Sequence, residues 1–207
     1  MKIALCQLNS ITGNVDYNTR QICAMIREAA DAGARLAIFP EMSVTGYPPK
    51  DLLEYPDFVD SAGDALTTIQ DTCVKARVDC LVGTVQTNMF GGKKELLNAA
   101  AYLSASGGVQ FGFKKLLPTY DVFDEQRYFH PCPPDSPPLV IGYSGVRDMP
   151  GGILRIGVSI CEDIWNDSQF WKDDRLYEFD PVERIAKSGA NLIVNISASP
   201  FVVGKPA

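Results

Sequence analysis

Short apolar runs alternate along this chain with stretches of helical periodicity, and that alternation constrains the fold more than any other feature. Residues 2–8 are predicted to form a strand, and 36–39 form a continuous apolar run typical of a strand buried on both faces. Between them, apolar residues recur at helical spacing from Ile22 to Ala30, and Gly33 is placed to end that helix. This strand-helix-strand unit predicts an α/β fold with helices outside a largely parallel sheet.

The same rhythm continues to the end of the chain. A second helical pattern runs from Phe58 to Cys73, and a third ends at Gly189. Gly107-Gly108 supplies a turn, so the strands on either side of it are expected to pair antiparallel. Residues 131–152 are rich in Pro and Gly and are predicted to form an irregular surface excursion. The further predicted strands are 78–85, 98–103, 109–113, 153–160 and 192–196.

Length, charge and cysteine usage exclude several classes of protein. The 207 residues fit one domain, and a net charge of −6 argues against binding a nucleic-acid backbone. No apolar run approaches the roughly 18 residues of a membrane span. The six cysteines are scattered without zinc-site or disulfide-scaffold spacing, which favours reduced thiols in the cytoplasm and predicts no metal site.

Three residues with catalytic potential stand where predicted strands end. Cys161 directly follows strand 153–160, Glu41 follows the run that Pro40 stops, and Lys114 ends strand 109–113. Reactive groups in α/β proteins gather at such strand ends. A cysteine can act as a nucleophile, a glutamate as its general base, and a lysine as a stabiliser of an oxyanion. Taken singly, each residue also has an ordinary explanation. Cys161 could be a small buried side chain, Glu41 an exposed glutamate in a loop, and Lys114 one of two solvated lysines.

A histidine base is the main alternative partner for the cysteine. The chain contains one histidine, His130, beside the Pro-rich excursion. A Cys161-His130 dyad therefore remains a possible reading, although a loop is a poor place to hold it precisely. His130 and Cys132 form too small a set of ligands for zinc.

Three longer motifs carry a resemblance to a known family. They are FPEMSVTGYPPKDLL at 39–53, KKLLPTYDVFDEQRYF at 114–129 and CEDIW at 161–165. In this order they resemble the nitrilase, or carbon-nitrogen hydrolase, superfamily, and more narrowly the glutaminase domains of glutamine-dependent NAD synthetases. The resemblance spans essentially the whole chain and implies a four-layer αββα sandwich in place of a single covered sheet. Because that domain continues further in the family, 1–207 is expected to be a glutamine amidohydrolase domain, C-terminally truncated and without its synthetase domain.

The resemblance also implies a role for each candidate residue. Glu41 takes the proton of Cys161, whose thiolate attacks the side-chain carbonyl of glutamine. Lys114 and the backbone N–H of Glu162 stabilise the oxyanion, and Glu125 assists as a second carboxylate. Lys114 matches the family motif better than its neighbour does, because the Pro of the motif follows it by four residues.

Substrate, cofactors and partners follow from the same resemblance. Tyr120 and Ser199 are expected to contact glutamine. The glutaminase step needs no cofactor, whereas ATP and Mg²⁺ belong to the synthetase domain that receives the ammonia. Homo-oligomers are expected. Two alternatives stay open: a standalone amidase that acts on another amide, and a catalytically silent assembly module.

Overall fold

Two β-sheets form the centre of the molecule. The structure is a computed structural model that describes residues 1–147, 149–171, 175–199 and 203. The first sheet contains, in spatial order, β1 (Ile3–Leu5), β2 (Leu36–Ile38), β3 (Asp79–Thr87), β4 (Leu96–Leu103) and β5 (Val109–Phe113). Its first three strands are parallel, and β3, β4 and β5 are antiparallel neighbours. The second sheet contains β6 (Val140–Ser144), β7 (Ile153–Ile160) and β8 (Leu192–Ile196), with β7 antiparallel to β6 and parallel to β8.

The longer helices cover the outer faces of these sheets. The described helices are α1 (Val15–Asp31), α2 (Pro56–Ala76), α3 (Glu125–Tyr128), α4 (Ser168–Trp171) and α5 (Pro181–Lys187). Asn14 is the N-cap of helix α1, and its side chain accepts a hydrogen bond from the N–H of Tyr17. Helices α1 and α2 pack against each other and share one apolar core with the first sheet. Helix α5 packs on β7 so closely that a Cβ at Gly157 would overlap the side chain of Ile185.

Alternating side chains of the first sheet define the layers. On β2, Leu36 and Ile38 belong to a core shared with the second sheet, whereas Ala37 belongs to the core beneath the helices. On β4, Ala100 faces the second sheet and Ala101 the helices. The order is therefore helices, sheet, sheet, helix, which confirms the four-layer αββα sandwich. The predicted truncation concerns the chain end, where residues 200–202 and 204–207 lie outside the described part.

Several predictions about individual elements need correction. Residues 131–152 are not irregular throughout, because β6 lies within them and pairs with β7. Leu139, Ile141 and Tyr143 alternate into the core between the sheets, a pattern masked by the neighbouring prolines. The prediction of largely parallel strands is wrong for the pairs β3–β4 and β6–β7, whereas the predicted antiparallel pairing of β4 with β5 is confirmed.

Two global findings concern membranes and cysteines. Among the helices of the described residues, none combines the length and apolar character needed to span a bilayer. All six cysteines are free and buried.

Candidate active site

The three strand-end residues lie at one end of the sandwich. Glu41 follows β2, Lys114 follows β5, and Cys161 follows β7 of the second sheet. All three are buried, with exposed fractions of 2%, 1% and 6%. The structure therefore brings together side chains that are far apart in the sequence and come from both sheets.

Lys114 lies between two buried carboxylates. Its Nζ is 2.8 Å from Oε1 of Glu41 and 2.8 Å from the carboxylate of Glu125. Burial by itself lowers the pKa of Lys114, but the charges of Glu41 and Glu125 outweigh it and the net effect raises the pKa. The lysine is therefore a fixed positive charge inside the protein.

Glu125 is the second carboxylate of this network. Burial raises its pKa; Lys114 opposes that shift and Glu41 adds to it. The hydroxyl of Tyr47 also donates to Oε1 of Glu125, at 3.1 Å. Sequence reasoning missed Tyr47, although it lies within the first motif. With an exposed fraction of 4%, Glu125 is a buried carboxylate and not part of the charged surface.

Glu41 is held by three hydrogen-bond donors. Its Oε1 accepts from Lys114 and from Nδ2 of Asn98 at 2.7 Å, and its Oε2 accepts from the N–H of Ala198 at 3.0 Å. The segment Glu41-Met42 passes close to strand β3, and it has room to do so only because residue 83 of that strand is glycine. A Cβ at Gly83 would overlap the Met42 nitrogen and would lie 2.6 Å from the Glu41 Cα.

Cys161 sits at a strained turn that ends β7. Its φ is +45°, a conformation uncommon for a residue other than glycine, and it opens the 3-10 turn Cys161–Ile164. Burial raises the pKa of its thiol to about 12; the charge of Glu41 adds to this, and Lys114 opposes it. The thiol is therefore neutral near pH 7 and needs a base to become a nucleophile.

Asp163 connects the cysteine turn to the lysine strand end. Its Oδ1 accepts from the backbone N–H of Lys115 at 3.0 Å and of Leu116 at 2.8 Å. Burial raises the pKa of this carboxyl to about 7, against the effect of those donors. Lys115 is itself buried, and its Nζ donates to the carbonyl oxygens of Pro133 and Ser136. The reading of Lys114-Lys115 as a solvated pair is wrong.

A cavity of about 900 Å³ opens beside Cys161. Its lining includes the two predicted substrate contacts, Tyr120 and Ser199. Glu162 also lines it, and this carboxylate is only 3% exposed. The Tyr120 hydroxyl donates to it at 2.8 Å and the Tyr177 hydroxyl at 3.1 Å. Sequence reasoning used only the backbone of Glu162 and missed both its side chain and Tyr177, which the quoted motifs do not include.

His130 lacks the contact that a Cys161-His130 dyad requires. Its Nδ1 pairs with the carbonyl oxygen of Pro131 at 2.7 Å, and its ring packs against Gly92. Among the described residues, the lining of the Cys161 cavity does not include it. Nor do three or more His, Cys, Asp or Glu side chains of the described part gather where they could hold a metal ion.

A sandwich of this kind with a cysteine, a glutamate and a lysine at one end defines a hydrolase of amide or nitrile carbon-nitrogen bonds. The profile of the carbon-nitrogen hydrolase family matches residues 2–172. The chain therefore belongs to the carbon-nitrogen hydrolase family.

Relatives of this chain carry a more specific name. The glutamine-dependent NAD(+) synthetase of Synechocystis sp. is 38% identical over an alignment of 206 positions that covers 98% of this chain and 35% of that protein. The enzyme of the same name from Thermotoga maritima is 33% identical over an alignment of 211 positions that covers 100% of this chain and 31% of that protein. The chain thus spans about a third of the length of the curated relatives it matches.

Solved structures agree on the fold. The glutamine-dependent NAD+ synthetase of Acinetobacter baumannii superposes with a TM-score of 0.74 at 28% identity, covering 99% of this chain and 33% of that one. An amidase from Nesterenkonia sp. gives a TM-score of 0.76 at 19% identity, covering 98% of this chain and 66% of that one.

Proposed function

We propose that this chain hydrolyses the side-chain amide of glutamine to glutamate and ammonia through a thioester on Cys161. The observation that carries the proposal is the buried network in which Lys114 bridges Glu41 and Glu125 beside a neutral buried thiol. Such a network supplies a base for the thiol and a fixed positive charge for an oxyanion in one water-poor place.

Formation of the thioester uses all three strand-end residues. Glu41 accepts the proton of Cys161 as sulfur bonds to the amide carbon, and the carbonyl electrons move onto oxygen. Lys114 and the backbone N–H of Glu162 stabilise that oxyanion, and each such donor contributes roughly 3 kcal/mol. When the carbon-nitrogen bond breaks, the proton held by Glu41 passes to nitrogen, and ammonia leaves.

Hydrolysis of the thioester repeats these steps with water. Glu41 takes a proton from water as its oxygen attacks the thioester carbon, and Lys114 again stabilises the oxyanion. The carbon-sulfur bond then breaks, the thiolate recovers the proton from Glu41, and glutamate leaves. Glu125 holds Lys114 from the other side and keeps it aligned in both halves of the reaction.

The residues that line the cavity suit an amino acid as the substrate. A buried carboxylate at Glu162, fixed by the hydroxyls of Tyr120 and Tyr177, suits the α-ammonium group of glutamine. Ser199 offers a hydroxyl in the same lining. The names of the relatives agree, since those enzymes are glutamine-dependent. We therefore also propose that the ammonia serves an ATP-dependent synthetase domain that completes NAD.

The test compares glutamine with simple amides and nitriles. We expect glutamate release from glutamine, and Glu162→Gln should raise KM at least tenfold for glutamine with little effect on an amide that lacks an ammonium group. The matched control is Glu183→Gln, at an exposed glutamate paired with Lys187. Faster turnover of simple amides than of glutamine would instead support the standalone amidase, and absence of hydrolysis the silent assembly module.

The setting of the reaction is part of the proposal. Free cysteines suit a reducing cytoplasm. Exposed apolar side chains near the cavity, including Trp165 and Leu176, suit an interface within a homo-oligomer. Sedimentation across a range of protein concentrations tests the oligomer, and a monomer at all concentrations would contradict it.

A further inference from the structure

Asn98 contacts both members of the Glu41-Lys114 pair. Its side-chain Nδ2 donates to Oε1 of Glu41 at 2.7 Å, and its backbone oxygen accepts from the N–H of Lys114 at 2.9 Å. The residue lies on β4 and is 1% exposed. One buried residue of β4 thus contacts the base through its side chain and the backbone of the lysine through its carbonyl oxygen.

The other half of the Asn98 amide has no partner. Its Oδ1 is buried and accepts no hydrogen bond from the described residues. Rotating the amide by half a turn would set Oδ1 against the Glu41 carboxylate, so the requirement for a donor fixes the orientation. A buried acceptor left unpaired reduces stability. Packing alone does not explain a side chain that gives one favourable contact and one unfavourable one.

Asn18 shows how this chain uses a buried asparagine for structure alone. It is fully buried, and its Nδ2 donates to the carbonyl oxygens of Ile11 at 2.9 Å and Val44 at 3.0 Å. Its Oδ1 accepts from the N–H of Ile11 at 2.8 Å. Every polar atom of the Asn18 amide is paired with backbone, whereas the side-chain amide of Asn98 pairs, among the described residues, only with the Glu41 carboxylate.

We propose that Asn98 is a positioning residue for the amide hydrolysis, fixing the Glu41 carboxylate against Lys114 so that it works as the base. This role rests on the proposed function. Without the Asn98 donor, Oε1 keeps Lys114 as its partner, and the carboxylate is free to turn towards the lysine.

The experiment compares Asn98→Leu with Asn18→Leu in the full chain. For Asn98→Leu we expect kcat to fall by about 10- to 100-fold and KM to change by less than about threefold. Its Tm should fall less than that of Asn18→Leu, because Glu41 keeps its donors from Lys114 and Ala198, whereas three backbone groups lose the Asn18 amide. For Asn18→Leu we expect the reverse: a lower Tm and a kcat within about twofold of wild type.

The outcomes separate this proposal from its alternatives. An unchanged kcat in Asn98→Leu, or a fall in Tm that matches Asn18→Leu, would overturn it; if Asn98→Leu does not fold, Asn98→Ala decides on the same criteria. A wild-type chain that releases no glutamate counts against the proposed function alone. In that event alkylation of Cys161 by iodoacetamide, measured against Cys161→Ala, replaces turnover. The alkylation rate at pH 7.5 must fall at least tenfold in Asn98→Leu and stay within about twofold of wild type in Asn18→Leu.

Discussion

Replacement of Glu41 by glutamine tests the assignment of the base. The pKa of the Cys161 thiol lies at about 12, so at pH 7.5 only about 3 in 100,000 thiols are ionised without help. The amide oxygen of the introduced glutamine can keep the bonds from Lys114 and Asn98, but its NH₂ faces the N–H of Ala198 and loses that bond. We expect kcat/KM for the substrate glutamine to fall by about 10³- to 10⁴-fold, the upper part of the range for general-base catalysis.

The pH dependence makes this prediction sharper. Without Glu41, solvent must deprotonate the thiol, so the rate for Glu41→Gln should rise about tenfold per pH unit up to the thiol pKa. The assay is glutamate release between pH 6 and 10, with the Glu183→Gln variant as the matched control. A loss of less than about tenfold, or a slope well below one for Glu41→Gln, would refute Glu41 as the base.

Substitutions at three further positions test how the site is built. In Gly83→Ala the new Cβ overlaps the backbone of Met42 and Glu41, so we expect stability to fall by about 1–3 kcal/mol in urea unfolding and kcat to fall at least tenfold. Asp163→Ala leaves two buried N–H groups without an acceptor and should cost about 2–5 kcal/mol, whereas Asp163→Asn keeps the acceptor and most of the activity. Burial raises the pKa of Asp163 to about 7, so the folded protein keeps a proton there that the unfolded chain loses from about pH 4 upwards. In thermal unfolding, the Tm of the wild type should therefore fall relative to that of Asp163→Asn as pH rises from about 4 to 7. Above pH 7 the difference in Tm should stay constant. Lys114→Met should lower kcat for glutamine by about 100- to 1000-fold, and a kcat within fivefold of wild type would contradict its role at the oxyanion.

The sequence predicts the strands that carry the site because their burial appears as local pattern. The runs before Glu41 and Cys161 are continuous and apolar, so both strand ends could be located from the residues alone. Strand β6 was missed because prolines at 131–138 precede it, and its alternation has a meaning only once the first sheet faces it across the core. Antiparallel pairing of β3 with β4 likewise depends on long-range contacts that periodicity does not report.

The residues that support the site were harder to predict. Asp163 stands in a motif that was recognised, yet its role as an acceptor depends on the backbone of Lys115, 48 positions away. Asn98 has no motif of its own and gains meaning only through its contact with Glu41, 57 positions away. The side chain of Glu162 was overlooked because the two phenols that fix it come from separate loops.

Covalent labelling of Cys161 by a glutamine-like diazoketone tests the central claim most directly. Intact-mass measurement should show one rapid modification per chain, absent in Cys161→Ala, slowed by added glutamine, and slowed in Glu41→Gln and Lys114→Met. That result requires a thiol that is activated by its neighbours and a cavity that accepts an amino acid. Modification spread over several cysteines, or modification unaffected by glutamine, would contradict the account.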